Sequence, residues 1–300
     1  MELFDSSTNI PIQRIQFPEI KVGPSFFIKR LDLIDPIYGG NKIFKLKYHI
    51  AKIQKENIGA VLSFGGPFSN HLFALAGLCQ KLEIPCYGIV RGFEHYRENP
   101  NLQFCIKAGM HIFFLSPHYF NSSLERKKII EEIQNEKGRI HIIPEGGTDE
   151  LGVKGASEML SENELNFDYY CIGVGSGGSI SGLIRKTNGN GQVLGFSALK
   201  NGQYLEESIN SYTKNYPKSW KLFHDYHFGG FAKQNKTLKD FESTFEANND
   251  LEIDPVYQSK MLFGLEDLTK KHYFSIKDKV LIIHTGGLQA KNGFEYMAKK

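Results

Sequence analysis

Cysteine is scarce in this 300-residue sequence, and so is tryptophan, with four of the first and one of the second. The four cysteines, Cys79, Cys86, Cys105 and Cys171, show no C-x-x-C spacing, which argues against a zinc site and a disulfide framework, and no metal is expected. Three of them sit in apolar segments where a small hydrophobe fits. No stretch approaches the roughly 20 apolar residues that a bilayer crossing needs. The opening MELFDSSTNIPIQ lacks a basic stretch followed by an apolar one, so no leader peptide is expected and the protein reads as cytoplasmic. An excess of one charge is also missing: Lys and Arg number 36 against 33 Asp and Glu, a net charge of +3. The signs are interleaved, as in LERKKIIEEIQNEK, which describes solvated helix faces and not a nucleic-acid patch. Short repeats and Pro/Ser-rich linkers are absent too, so any domain boundary is structural rather than compositional.

What remains is the composition of a folded protein. Hydrophobic residues at 41% and charged residues at 23% are near globular averages, and a mass of 34.0 kDa exceeds one typical core. Two domains or one large α/β unit are expected. From residue 43 onward, helix-period segments alternate with short β-branched runs, the pattern of βα units on a parallel sheet. Ile43, Leu46, Ile50 and Ile53 share one helix face, and Ala60 to Phe64 reads as a buried strand. Helices are expected at Asn70 to Leu82, Leu102 to Ala108 and Leu124 to Glu136. Further strands are expected at Tyr87 to Val90, Ile112 to Leu115, Ile140 to Ile143, Tyr169 to Val174, Val193 to Phe196 and Val280 to His284. The stretch from about Asn201 to Ala247 has no clear period, and Gly229 and Gly230 mark a turn in it.

Five turns, four of them glycine-containing, follow strands or extended segments. In GGNK, Gly39 to Lys42, a lysine stands at the head of an amphipathic helix. Most such lysines are solvated, but an amine whose pKa is lowered by desolvation or a nearby cation becomes a nucleophile toward aldehydes. In SFGGPFSNH, Ser63 to His71, Ser69 and Asn70 open a helix. They are N-cap residues by default. With the local N–H groups they can also bind a substrate carboxylate, Ser69 offering a hydroxyl to the substrate and Asn70 bonding a cofactor oxygen. His71 reads as a packing or capping residue. GVGSGGSISG, Gly173 to Gly182, contains G-x-G-x-x-G, so a dinucleotide site is one reading. The acidic ribose anchor expected about 20 positions on is missing, with Ser197 and Ala198 in its region. A single phosphate needs no such anchor: the amides of Gly175, Ser176, Gly177, Gly178 and Ser179, with two serine hydroxyls and a helix dipole, can hold it. Tyr257 in DPVYQSK and Thr285 in HTGG are by themselves ordinary core or turn residues.

Taken in order, KRLD (Lys29 to Asp32), GGNK, FGGPFSNH, PEGGTDELGVKG, GVGSGGSISG, DPVYQSK and HTGG resemble the signature series of the family uniting 1-aminocyclopropane-1-carboxylate deaminases with D-cysteine desulfhydrases, over nearly the whole chain. The resemblance implies pyridoxal 5′-phosphate as cofactor and the tryptophan synthase β-like α/β fold, two domains with open, twisted, mostly parallel sheets flanked by helices. It implies a small domain, residues 45–151, inserted in a larger one made of 1–44 plus 152–300, and a homodimer. Lys42 would be the lysine joined to the cofactor, Ser69 the substrate-contacting hydroxyl, Asn70 a neighbour of the ring, Gly175 to Ser179 the phosphate loop, and Thr285 the group facing the ring nitrogen. Tyr257 would lie beside the ring or aid proton transfer.

The chain departs from that family at informative places. Phe231 stands where both named activities have a tyrosine, and Gln258 where the deaminases have a glutamate, while Thr285 replaces their leucine and resembles the desulfhydrases. A neutral partner for the ring nitrogen stabilises a carbanion less than an acidic one and favours prompt loss of a β-substituent. The expected activity is therefore β-elimination from a small amino acid, giving an α-keto acid and ammonia, with sulfide if the substrate is cysteine. The alternatives are cyclopropane ring opening, elimination from another amino acid, a homologue that binds the cofactor without efficient turnover, and, more remotely, a nicotinamide oxidoreductase.

Overall fold

The apolar runs that alternate with amphipathic segments become two parallel sheets with helices against them. A computed structural model describes residues 10–299; the leader-free reading of MELFDSSTN concerns residues outside that range. The strands are β1 Ile12–Ile15, β2 Ser25–Arg30, β3 Ala60–Gly65, β4 Cys86–Arg91, β5 Met110–Leu115, β6 Ile140–Ile143, β7 Tyr169–Val174, β8 Gln192–Ser197, β9 Trp220–Phe223 and β10 Lys279–His284. The helices are α1 Asn41–Lys55, α2 Asn70–Lys81, α3 Pro100–Lys107, α4 Pro117–Phe120, α5 Ser123–Lys137, α6 Glu150–Ala156, α7 Gly178–Thr187, α8 Tyr204–Thr213, α9 Lys236–Asn249, α10 Gln258–Lys270 and α11 Ala290–Ala298.

One sheet has the order β1-β2-β10-β7-β8-β9, parallel except for the β1–β2 pair; the other is β5-β4-β3-β6, parallel throughout. The fold is thus α/β with mostly parallel sheets flanked by helices. Parallel strands between helix layers are buried on both faces, which is why β3 reads AVLSFG without alternation and is buried at every position. Side-chain caps set the helix starts: Ser69, Asn99, Ser122, Asp149 and Asn235 each accept a backbone N–H three residues on. All four cysteines are buried free thiols. Among the described residues no helix is long and apolar enough to cross a membrane.

The unclear stretch from 201 to 247 contains α8, β9 and most of α9, with left-handed glycines at 229 and 230 making the expected turn. Strands β1 and β2, which the sequence pattern did not reveal, complete the edge of the larger sheet beside β10.

Gly40 shows how closely the loops at the strand ends meet. Its φ is +71°, and a Cβ there would lie 2.1 Å from the Thr285 carbonyl oxygen. Gly40→Ala is therefore expected to lower thermal stability by about 2 kcal/mol or more, since backbone strain and a backbone clash act together. A melting curve unchanged within about 0.5 kcal/mol would contradict that contact.

Candidate active site

The loops after β2, β3, β6, β7 and β10 converge on one cavity of about 1140 Å3. Its position at the carboxyl ends of parallel strands is where open α/β sheets bind ligands. Lys42, Ser69, Asn70, Gly175, Ser176, Gly177, Ser179, Tyr257 and Thr285 line it, and Gly178 begins α7 immediately beside it. Five segments, from Lys42 to Thr285, are thereby brought together.

Lys42 sits in the first turn of α1, where its amine donates to Asn41 Oδ1 at 2.8 Å. Burial brings its pKa down to about 8, against the opposing pull of the Asp254 carboxylate. Asn41, itself buried, donates from Nδ2 to Ser179 Oγ at 2.8 Å, so one amide joins the lysine to the glycine loop. Asp254 accepts the backbone N–H groups of Val256 and Gln258 at 2.9 and 2.8 Å and fixes the start of α10. Its burial still raises its pKa to about 6.

The loop at 175–179 is a cradle that side chains would fill. A Cβ on Gly175 would come within 2.9 Å of the Tyr257 phenol, and one on Gly178 would lie 2.8 Å from Lys45 Nζ. The hydroxyl of Ser176 pairs with Thr148 Oγ1 at 2.6 Å. Lys45 is the residue that the sequence pattern did not single out. Lying one turn beyond Lys42, it is buried, with its amine held only by Gly146 O at 2.5 Å and Thr148 Oγ1 at 2.9 Å. Burial and the neighbouring Lys42 push its pKa well below the usual lysine value. A buried lysine with no hydrogen-bonded carboxylate among the described residues, beside helix N–H groups, suits an anion such as phosphate, which would favour its charged form. Its i+3 spacing from Lys42 was the available signal, masked because α1 packs on more than one side and buries Phe44, Lys45 and His49 as well as its expected apolar face.

Ser69 is both an N-cap and a cavity residue: its Oγ accepts Leu72 N–H at 3.2 Å while its own proton stays available. Asn70 accepts a hydrogen bond from Gln289 Nε2 at 3.1 Å. His71 packs as expected. Ser63 Oγ donates to Ile143 O at 2.8 Å, so it must accept from His71 Nε2, also at 2.8 Å. Burial and the two lysines hold that ring neutral. Thr285 Oγ1 accepts from Gln258 Nε2 at 3.0 Å, and the same amide donates to Ile283 O at 3.1 Å. Tyr257 lies against the Gly173–Gly175 backbone, its phenol kept protonated by burial. Within KRLD, Arg30 grips Asp32 through two bonds of 2.9 and 2.7 Å, and Asp32 stands 3.3 Å from His284, which anchors the strand end before Thr285.

A buried amine of lowered pKa, a glycine-lined cradle beside a second buried lysine and the uncharged Gln258–Thr285 pair fit pyridoxal 5′-phosphate. The comparisons with known proteins agree. The chain is 29% identical over 303 residues to a putative 1-aminocyclopropane-1-carboxylate deaminase of Pyrococcus furiosus, covering 93% of this chain and 89% of that one. It is 26% identical over 304 residues to the mitochondrial bifunctional D-cysteine desulfhydrase/1-aminocyclopropane-1-carboxylate deaminase of Arabidopsis thaliana, covering 93% and 76%. The crystal structure of a homologue of 1-aminocyclopropane-1-carboxylate deaminase superposes with a TM-score of 0.84 at 26% identity, covering 97% and 93% of the two chains. Residues 3–286 match the family model described as pyridoxal-phosphate dependent enzyme, and with that match over almost its whole length the chain belongs to the pyridoxal-phosphate dependent enzymes.

Proposed function

We propose that this enzyme catalyses β-elimination from a small amino acid, in the manner of a D-cysteine desulfhydrase, releasing an α-keto acid and ammonia, and sulfide when the substrate is cysteine. The observation that carries the reading is the buried Gln258–Thr285 pair. Thr285 already accepts a hydrogen bond from Gln258, so its own hydroxyl proton is left to donate toward a ring nitrogen, and neither residue would offer that nitrogen a negative charge to keep it protonated. The bound cofactor supplies an electron-accepting ring conjugated to the substrate's amino nitrogen.

The chain's own groups do the rest. Lys42 Nζ would hold the cofactor at its aldehyde carbon and, as a neutral amine, would take up the substrate's Cα proton. Asn41 keeps that amine aimed at the cavity. Ser69 and the first amides of α2 receive the substrate carboxylate, and Asn70 bonds the ring oxygen. The amides of Gly175 to Ser179 would hold the phosphate, and Lys45 would offset its charge. Tyr257, a protonated donor beside the glycine loop, stands next to the ring. As part of the same reading, residues 45–151 form a small unit around the four-stranded sheet, 1–44 plus 152–300 a larger one around the six-stranded sheet, and two copies associate. The 44/45 boundary falls inside α1, which makes that helix a continuous bridge between the two units.

Purified protein incubated with D-cysteine is expected to yield sulfide and pyruvate in equal amounts. No product above a Lys42→Ala control, from D-cysteine or from β-chloroalanine, would overturn the reading. The deaminase names of relatives such as that of Pyrococcus furiosus favour a second reading, cyclopropane ring opening, against which stand Gln258 and Phe231. Formation of 2-oxobutyrate from 1-aminocyclopropane-1-carboxylate without turnover of D-cysteine would decide for it.

The lowered Lys42 pKa gives a pH test. The neutral amine is the nucleophile, so the rate at which the cofactor-free protein takes up pyridoxal 5′-phosphate should rise about tenfold per pH unit and level off near pH 8. A rate still climbing in proportion to hydroxide at pH 9.5 would mean an amine with an ordinary pKa.

A further inference from the structure

The segment from Phe228 to Ala232, two of whose residues line the cavity, is held in a costly shape. Phe228, Gly229, Gly230 and Ala232 all have positive φ, at +51°, +93°, +118° and +52°. Two non-glycine residues in the left-handed region within five positions amount to stored strain, which persists where surrounding structure over-determines it. That surrounding structure is visible. Lys260, a buried lysine of α10, donates to Gly230 O at 2.7 Å, and Phe228 packs edge-on against Phe263 with ring centroids 4.9 Å apart. The result is to hold Phe231 on the cavity wall, edge-on to Tyr257 at 6.0 Å, with 46% of its surface free. Leu33 and Tyr204, 58% and 60% exposed, line the same cavity.

We infer that Phe231 is a specificity residue for an apolar group on the substrate's β-carbon, and that the preferred substrate is an S-alkyl or S-arylmethyl cysteine, a thioether, and not the free thiol. The inference rests on the elimination reading above and names its substrate class. A phenylalanine there offers no hydrogen bond to a thiolate, a hydroxyl or a second carboxylate; with Leu33 it offers apolar contact. The Cα proton passes to Lys42 Nζ, the C–S bond breaks with its electron pair going to sulfur, and the thiolate takes up a proton and leaves as the thiol. The remaining three-carbon fragment takes one water and departs as pyruvate and ammonium, so RSCH2CH(NH3+)COO− plus water gives RSH, CH3COCOO− and NH4+.

The test is a series of S-methyl, S-ethyl, S-propyl and S-benzyl cysteine, in both enantiomers, with β-chloroalanine as an eliminable substrate that has no apolar extension. The holoenzyme is expected to show KM falling about fourfold per added methylene from methyl to propyl, from ~0.8 kcal/mol per buried CH2, with kcat nearly constant. Phe231→Ala and Phe231→Leu should flatten that slope. Calorimetric binding of the unreactive 3-(benzylthio)propanoate should be at least tenfold tighter than that of 3-(methylthio)propanoate in the native enzyme, and the difference should shrink in both variants. A flat or rising KM series with β-chloroalanine still turned over would overturn the inference and leave the elimination reading standing. A falling series that survives both Phe231 substitutions would also overturn it. No turnover of any member, β-chloroalanine included, would bring down the elimination reading instead.

Discussion

Replacing Lys42 by alanine is expected to lower turnover by about a thousandfold or more and to abolish the visible absorbance of the bound cofactor. Positioned acid–base catalysis alone contributes roughly 10^2 to 10^4-fold, and in the proposed role the same amine also tethers the cofactor. The two losses are measured separately, by product formation and by the spectrum of the freshly purified protein. The fold is not expected to suffer. Burial holds the Lys42 amine at about 8, so in the folded protein it is a group whose charged form is disfavoured. For a lysine with a depressed folded pKa, no penalty exists above the unfolded value near 10.5, and the penalty grows as pH falls toward 8. Removing the amine leaves melting temperature unchanged or higher at pH 7. A Lys42→Ala protein that keeps its visible band and a tenth of its activity would show that another residue carries the chemistry.

Lys45→Met is expected to have the second largest effect, on cofactor affinity and not on the attachment chemistry. Its amine contacts Gly146 O and Thr148 Oγ1 and approaches the first residue of α7, but it has no carboxylate partner. Truncating one member of a buried, hydrogen-bonded charge pair costs about 2–5 kcal/mol, so the dissociation constant for pyridoxal 5′-phosphate should rise about thirtyfold or more. Equilibrium dialysis or fluorescence titration reads this directly. The cofactor-free protein should respond in the opposite sense. The Lys45 pKa is lowered by burial and by Lys42, so the wild-type protein loses stability as pH falls below about 10.5, and the methionine variant escapes that loss. Cofactor affinity unchanged within threefold would mean that the glycine amides alone hold the phosphate.

Much of the fold is legible along the chain because parallel βα units announce themselves. The helix Asn70–Lys81 and the strands Ala60–Gly65 and Tyr169–Val174 lie within a residue or two of their expected limits. Periodicity and turn glycines are local signals, and in these units local and global preferences agree. The short strands β1, β2 and β9 were harder to read. IQRI at the sheet edge alternates weakly and WKLF is four residues long, so their pairing partners, not their own sequences, make them strands.

The sequence by itself determined the βα alternation, the glycine turns at the strand ends and the presence of a lysine at the head of a helix, all properties of a few consecutive residues. Only the tertiary structure decided that Lys42 is desolvated, that Asn41 ties it to Ser179, that Lys45 is buried beside the glycine loop, and that Phe231 packs edge-on against Tyr257 on the cavity wall. The physical reason is that a pKa, a charge partner and a cavity wall are set by groups close in space. In this chain the groups around one amine come from positions as far apart as 41 and 285.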